Sequence, residues 1–367
     1  MAGAMQAAPI YTVQDLGTLG GTTATAYAIN GAGMAVGVSS DMGGYRYAFS
    51  NFGIGFEVLS SNGADASAAG VNNGGAVAGT VYANGHAQAT VWRNGAATSV
   101  GSAGTYGMGI NDAGQVTGSA NGRAFLYSDG TMTDLGTLPG GSWSAGYSVN
   151  SSGQVAGYGS GANGSFQAFL WSQATGLAAI PGLGGTNSYA MAVNDAGGVT
   201  GSAQIQSGYA HAFVSKNGQT TDLGTLGGNS SRGYGINSAG DIVGYSLISS
   251  NMATHAFLSQ DGVMWDLNNL ISTAGWVLTE AYAINGSGQI VGTGSLNGIQ
   301  HAFRLDLAAV APFSPAMRIQ GGVIALDSAP AGVPEPSTTG MMLLSLSTLL
   351  VFRTKRFLWN RATGKHS

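Results

Sequence analysis

Residues 29–37 read Ile-Asn-Gly-Ala-Gly-Met-Ala-Val-Gly, and residues 149–157 read Val-Asn-Ser-Ser-Gly-Gln-Val-Ala-Gly. The shared frame is a β-branched residue, an Asn, a glycine three residues on and a second glycine seven residues on. It occurs seven times, with its Asn at Asn30, Asn72, Asn111, Asn150, Asn194, Asn237 and Asn285, at intervals of 42, 39, 39, 44, 43 and 48. A period of this length marks a repeat architecture. Asn suits the first position of a type I turn and glycine its fourth, so each frame predicts a β-hairpin. The residue before each Asn is Ile or Val and the one before that is Ala, Gly or Ser. Large on one face and small on the other, such a strand suits a sheet packed on both faces.

Two further segments complete each unit. One carries an invariant Ala, followed by Phe in every copy but one: Ala48, Ala89, Ala124, Ala168, Ala212, Ala256 and Ala302, with Thr90 as the exception. The other reads Asp-Leu-Gly-Thr-Leu at 15–19, 134–138 and 222–226, with looser counterparts near Val58, Val100, Ile180 and Leu267. Four short strands in about 42 residues match a propeller blade. The expectation is an all-β, seven-bladed β-propeller of four-stranded blades over residues 11–307. The chain opens on a fourth-type strand, Tyr11 to Leu16, and its last unit stops at a third-type strand, His301 to Leu305. In a ring the N-terminal strand completes the last blade; in an open β-solenoid, the alternative, it would be an exposed edge.

Composition agrees. Glycine supplies 63 of 367 residues, more than twice the usual ~7 %, while charged residues supply 8 % against ~25 %. That balance excludes long surface helices and coiled coils, and 44 % hydrophobic residues exclude disorder of the whole chain. The absence of cysteine rules out disulfides, thiolate metal sites and a cysteine nucleophile. Net charge is −4, unevenly spread: the last fifteen residues hold five cations and no acid. The acidic remainder argues against a duplex nucleic acid partner, which needs clustered cations.

Residues 1–10 read as a leader remnant or disordered N-terminus, and 308–332 as an Ala/Pro/Gly linker. The tail, 333–367, contains Pro334, Glu335 and Pro336, then an apolar run at 340–352, then Arg353, Lys355 and Arg356. That run is shorter than the ~20 residues that span a bilayer comfortably, and by itself would suit a buried helix. Prolines before it and cations after it instead read as a short transmembrane helix in a sorting tail with a cytoplasmic basic end. The order of these three parts resembles the PEP-CTERM sorting signal, which implies processing by an exosortase in a Gram-negative bacterium that makes exopolysaccharide. Independently, His-Ala-Phe at 211–213, 255–257 and 301–303, with the Asp-Leu-Gly-Thr-Leu-Gly-Gly strings, resembles the HAF-repeat extracellular proteins. That resemblance covers residues 11–307 and implies export without an assigned activity. Gln6-Ala7-Ala8-Pro9 is similar to the neighbourhood of a leader cleavage site, so the expectation is a leader upstream of Met1.

Residue types that could carry chemistry recur as repeat positions. His211, His255 and His301 occupy one strand position in three units, and Asp15, Asp134, Asp222 and Asp266 another in four, which separates each set among blades. Neither a shared metal nor a catalytic carboxylate pair is expected from such spacing. The turns at 111–114 and 194–197 offer one carboxylate each, too few for a good calcium site. The glycine strings lack the helix and Lys of a phosphate loop. No catalytic residue, metal or cofactor is therefore expected.

Exposed aromatics remain. Trp143 and Trp276 lie in loops entering a blade, and Tyr45, Phe166 and Tyr209 in loops between second and third strands. A propeller brings both loop types to one face, which makes these five the candidate binding face. The expected function is an exported, non-enzymatic protein of the cell surface or extracellular matrix that binds polysaccharide or another surface component. A secreted hydrolase or lyase acting on polysaccharide, and a protein–protein scaffold, are the alternatives.

Overall fold

Seven four-stranded antiparallel sheets stand in a ring, one per repeat. A computed structural model describes residues 8–52, 55–59, 61, 63–249 and 251–310. The tail residues Pro334, Glu335, Pro336, Arg353, Lys355 and Arg356, the apolar run 340–352 and the linker beyond 310 lie outside the described residues. Blade 4 shows the pattern: Ser144–Val149, Val155–Ser160, Phe166–Ser172 and Gly176–Ala179 follow one another as a meander. Its first strand, like Ala24–Ile29, Asp65–Val71, Thr105–Ile110, Gly184–Val193, Gly227–Ile236 and Trp276–Ile284 in the other blades, lines the central axis.

Closure uses the N-terminal strand. Pro9–Gly17 pairs antiparallel with Ile299–Val310, with Thr12 opposite Asp306 and Gln14 opposite Arg304, so it becomes the outer strand of blade 7. The ring is thereby closed by hydrogen bonds between its first and last described strands, and the open-solenoid alternative falls away. The strand begins at Pro9 and its partner runs to Val310, so the propeller reaches slightly past both expected boundaries.

The invariant residues have physical causes visible in the blades. Each frame Asn begins the turn between first and second strands, and its Oδ1 accepts the backbone N–H four residues on at 2.8–3.0 Å. The glycine three residues on has positive φ in all seven turns, from 73° to 95°. Ahead of that turn, each inner strand carries a β-bulge that skips the residue three before Asn, as at Tyr147 and Tyr234. The glycine seven after Asn lies against this bulged strand. A Cβ there would come within 1.8–2.0 Å of the carbonyl oxygen five before Asn, a contact no side chain tolerates.

The small residues two before Asn have a reason different from sheet-on-sheet packing: inner strands of adjacent blades converge on the axis. A Cβ on Gly109 would stand 2.9 Å from the Tyr147 carbonyl, and one on Gly235 would stand 2.8 Å from that of Tyr282. The Ala-Phe segment fills the space between blades. All seven Ala are 0 % exposed, and Phe49, Phe125, Phe169, Phe213, Phe257 and Phe303 are at most 1 % exposed. Where blade 2 has Thr90, the buried Trp92 supplies the volume two residues later.

Removing residues 1–17 deprives blade 7 of its outer strand and leaves the edge of Ile299–Val310 unpaired. The truncated chain is expected to lose a large part of its stability in urea unfolding monitored by circular dichroism. A melting curve superimposable on that of the full chain would refute closure by this strand.

Candidate binding face

The face carrying the entry loops and the second-to-third-strand loops contains a connected set of rings. Trp143, just before the first strand of blade 4, sits 6.1 Å from Phe166 and 5.3 Å from Tyr158, centroid to centroid. Tyr158 and Phe166 each reach Tyr189 on the inner strand of blade 5, at 4.8 and 5.8 Å. Tyr158 also stacks on Tyr147 at 5.1 Å, with a hydroxyl–hydroxyl hydrogen bond of 3.0 Å, and Tyr147 points into the axial channel. The Arg232 guanidinium lies 5.4 Å from the Tyr189 ring centre. On the same channel wall Tyr234 stacks on Tyr282 at 4.8 Å, and Tyr282 meets Tyr27 edge-on at 5.1 Å.

This arrangement follows from the bulge. The skipped residue of each inner strand enters the channel, and across the blades it is Tyr27, Ala69, Met108, Tyr147, Met191, Tyr234 and Tyr282. Together they border a cavity of about 200 Å³ on the axis. Burial raises the phenol pKa of Tyr147, Tyr234 and Tyr282, reinforced by the Tyr158 hydroxyl for the first and by Glu280 for the other two. The phenols therefore stay protonated at neutral pH; the Tyr234 oxygen accepts from the Arg232 guanidinium. Glu280 accepts the Tyr282 hydroxyl.

Of the five expected aromatics, Trp143 and Phe166 come together in this cluster. Tyr45 and Tyr209 are 62 % and 49 % exposed on blades 1 and 5, and among the described residues neither makes a ring contact with it. Trp276 is a correction: it begins the inner strand of blade 7, is 9 % exposed, and lies edge-on to His301 and Phe303. It packs the blade. The residues missed in the sequence, Tyr147, Tyr158, Tyr189, Tyr234, Tyr282, Tyr27, Arg232 and Glu280, are strand residues rather than loop residues. For four of them, Tyr27, Tyr147, Tyr234 and Tyr282, the signal was available in the repeat: the third position before Asn is Tyr in four copies of seven.

The repeated His and Asp do meet, within a blade. His211 Nδ1 is 2.9 Å from Asp222, His255 2.7 Å from Asp266, and His301 2.9 Å from Asp15 of the closing strand. Arg123 approaches Asp134 from the corresponding position at 3.8 Å. Each of these Asp residues also accepts the backbone N–H two residues on, so the pair ties third strand to fourth. Among the described residues no group of three or more His, Asp or Glu converges as a metal site.

No family model matches the chain, and no curated protein matches it. Solved structures do. It is similar to a puromycin-hydrolysing peptidase of Mycobacterium tuberculosis, at 9 % identity and TM-score 0.54 over 84 % of this chain and 58 % of that one. The β-propeller domain of the trilobed protease from Pyrococcus furiosus, described as an open velcro propeller, aligns at 8 % identity and TM-score 0.50 over 83 % of this chain and 97 % of that one. TolB from Acinetobacter baumannii aligns at 10 % identity and TM-score 0.43 over 74 % of this chain and 63 % of that one. The chain thus spans less than two thirds of TolB and of the peptidase. At such identity the first two likenesses show the propeller fold alone.

Two aromatic positions separate packing from surface. Trp276→Ala is expected to destabilise the protein by about 3–5 kcal/mol, as for a buried aromatic, and Tyr45→Ala by less than about 0.5 kcal/mol. Urea unfolding of both variants checks this; equal losses would put Tyr45 in the core as well.

Proposed function

We propose that the protein is an exported, non-enzymatic carbohydrate-binding propeller of the cell surface or extracellular matrix. The observation that carries this is the continuous wall of Trp143, Tyr158, Phe166 and Tyr189 leading to the Tyr-lined channel mouth. Aromatic faces hold the apolar faces of sugar rings, and phenol hydroxyls at their edge bond sugar hydroxyls. Charge is scarce among the channel-lining positions. The positions three and five before each Asn, and eight after it, carry one carboxylate among seven blades, Glu280, whereas glycosidic hydrolysis ordinarily uses two. Phenols held protonated are poor bases. Those two facts favour binding over the hydrolase or lyase reading, and the fold likenesses to hydrolytic proteins do not reverse them.

Export is part of the same proposal and rests on the sequence of the tail, Pro334-Glu335-Pro336 with Arg353, Lys355 and Arg356. An exosortase-type enzyme is the proposed processing partner, with transient membrane anchoring through 340–352 and exopolysaccharide as the proposed ligand.

The test is retention of the full chain on immobilised polygalacturonate, alginate, cellulose and dextran. Retention on at least one is expected, with no reducing ends released. The double variant Trp143→Ala, Phe166→Ala should remain folded and lose about tenfold or more in affinity, the scale of removing stacking contacts. Retention on none of the four, or retention untouched by the double variant, would refute the reading. Released reducing ends would replace binding with catalysis.

A further inference from the structure

Arg232 is a half-buried cation without a carboxylate. Its Nε donates to Ser202 Oγ at 3.1 Å and its guanidinium covers the Tyr189 ring at 5.4 Å. The described ion pairs join Arg123 to Asp134, Arg304 to Asp306, and three His to Asp15, Asp222 and Asp266; Arg232 is in none of them. Arg46, Arg93 and Arg123 are exposed, so water solvates them, and half-buried Arg304 has Asp306 at 3.1 Å. Among the described residues, Arg232 is thus the one half-buried guanidinium lacking an acidic partner. A charge withdrawn from water is unfavourable until an anion meets it, and a guanidinium with five N–H donors keeps some free after its bonds to Ser202 and the Tyr234 hydroxyl.

Its position says what kind of anion. Arg232 stands five residues before Asn237, held by Gly244, where a Cβ would stand 1.9 Å from the Arg232 carbonyl oxygen. On one side is Tyr189, the end of the aromatic wall; on the other, along the same strand, is Tyr234, stacked on Tyr282. Glu280, at the corresponding position of the next blade, is bonded by the Tyr282 hydroxyl. The nearest order is therefore apolar ring face, cation, phenols, carboxylate. A pyranose bearing a carboxylate matches it: ring on the aromatics, carboxylate on Arg232, ring hydroxyls donating toward Glu280.

We infer that Arg232 is the anchor for a sugar carboxylate, so that the funnel selects uronic-acid-containing polysaccharide over neutral glycans. This rests on the carbohydrate-binding reading and adds the substrate class. Arg46 lines a pocket with Tyr27 but is exposed to water, and Glu280 carries the opposite charge, so Arg232 is the half-buried cation placed to meet a ligand anion.

Calorimetric titration of the full chain with a galacturonic acid hexamer and with its methyl-esterified form tests the inference, since the two share ring faces and differ in charge. The acid should bind about tenfold or more tightly than the ester, and added NaCl should narrow the gap. In Arg232→Gln the gap should close, through loss of acid binding with ester binding retained. Equal affinities in the unmodified chain overturn the uronate inference and leave carbohydrate binding standing. A 6-O-sulfated glucan hexamer that binds when galacturonate does not overturns the carboxylate in favour of sulfate. If acid, ester and neutral hexamers all fail to bind, the carbohydrate reading itself falls. The acid-against-ester comparison needs no variant, so a folding defect in Arg232→Gln leaves the inference testable.

Discussion

Seven buried carboxamides pass hydrogen bonds around the axis. Asn30 Nδ2 donates to the Asn72 carbonyl, Asn72 to Asn111, Asn111 to Asn150, Asn150 to Asn194, Asn194 to Asn237, Asn237 to Asn285, and Asn285 back to Asn30, at 2.8–3.4 Å. Every Asn in this circle is at most 9 % exposed. Each also holds its own turn through Oδ1, so one side chain both shapes a hairpin and fastens it to the next blade. A hydrogen bond of this kind contributes about 1 kcal/mol. Each frame carbonyl also accepts the N–H of the glycine three residues on in its own turn, at 3.0–3.1 Å, so the neighbouring amide supplies its second, cross-blade bond. A repeat whose turn departs from the frame deprives its neighbour of that bond. Linear repeat arrays sum nearest-neighbour terms. Here the last bond returns to the first blade at the axis, while Pro9–Gly17 closes the ring at its outer edge, and the blades share one fate.

Further fasteners lie at the other end of the inner strands. The hydroxyls of Thr105, Ser144, Ser188 and Ser231 each accept the N–H of the invariant Ala in the preceding blade, at 2.8–3.0 Å. With both ends of an inner strand tied across blades, and the glycine seven after Asn pressed on its carbonyl, the backbone between is fixed. Side chains three and five before Asn are then free to differ from blade to blade. They do differ: Tyr189, Arg232 and Glu280 occupy one position of three successive blades. Rigid frame and variable lining are the two halves of a binding site built on strands rather than on loops.

Blade count, strand count and closure were legible because turn chemistry repeats with a fixed frame. Asn and Gly announce hairpins whatever surrounds them, and the unpaired strand at the N-terminus announced the ring. What the frame Asn does between blades was not legible, since a turn former and a cross-blade donor look identical in one copy. The site was half legible. Trp143 and Phe166 could be placed by loop position, but Trp276 could not be told from them, because its burial depends on His301 and Phe303, contributed by a strand some 25 residues on. The channel tyrosines escaped because a β-bulge breaks the two-residue alternation by which inward and outward residues are told apart.

The amide donor at the axis is the centre of this account, and Asn150→Asp isolates it. The substitution keeps an oxygen for the N–H groups of Ser152 and Gln154 but replaces the donor to the Asn194 carbonyl with a buried negative charge. Urea unfolding as a function of pH is the decisive measurement. At pH 7 the variant should be less stable than the unsubstituted protein by about 2–4 kcal/mol. Burial beside a carbonyl raises the new carboxyl's folded pKa above its unfolded value, so the native state binds the extra proton and the deficit should narrow as pH falls through that pKa. An equal stability at pH 7, or a deficit that stays constant down to pH 4, would contradict the ring.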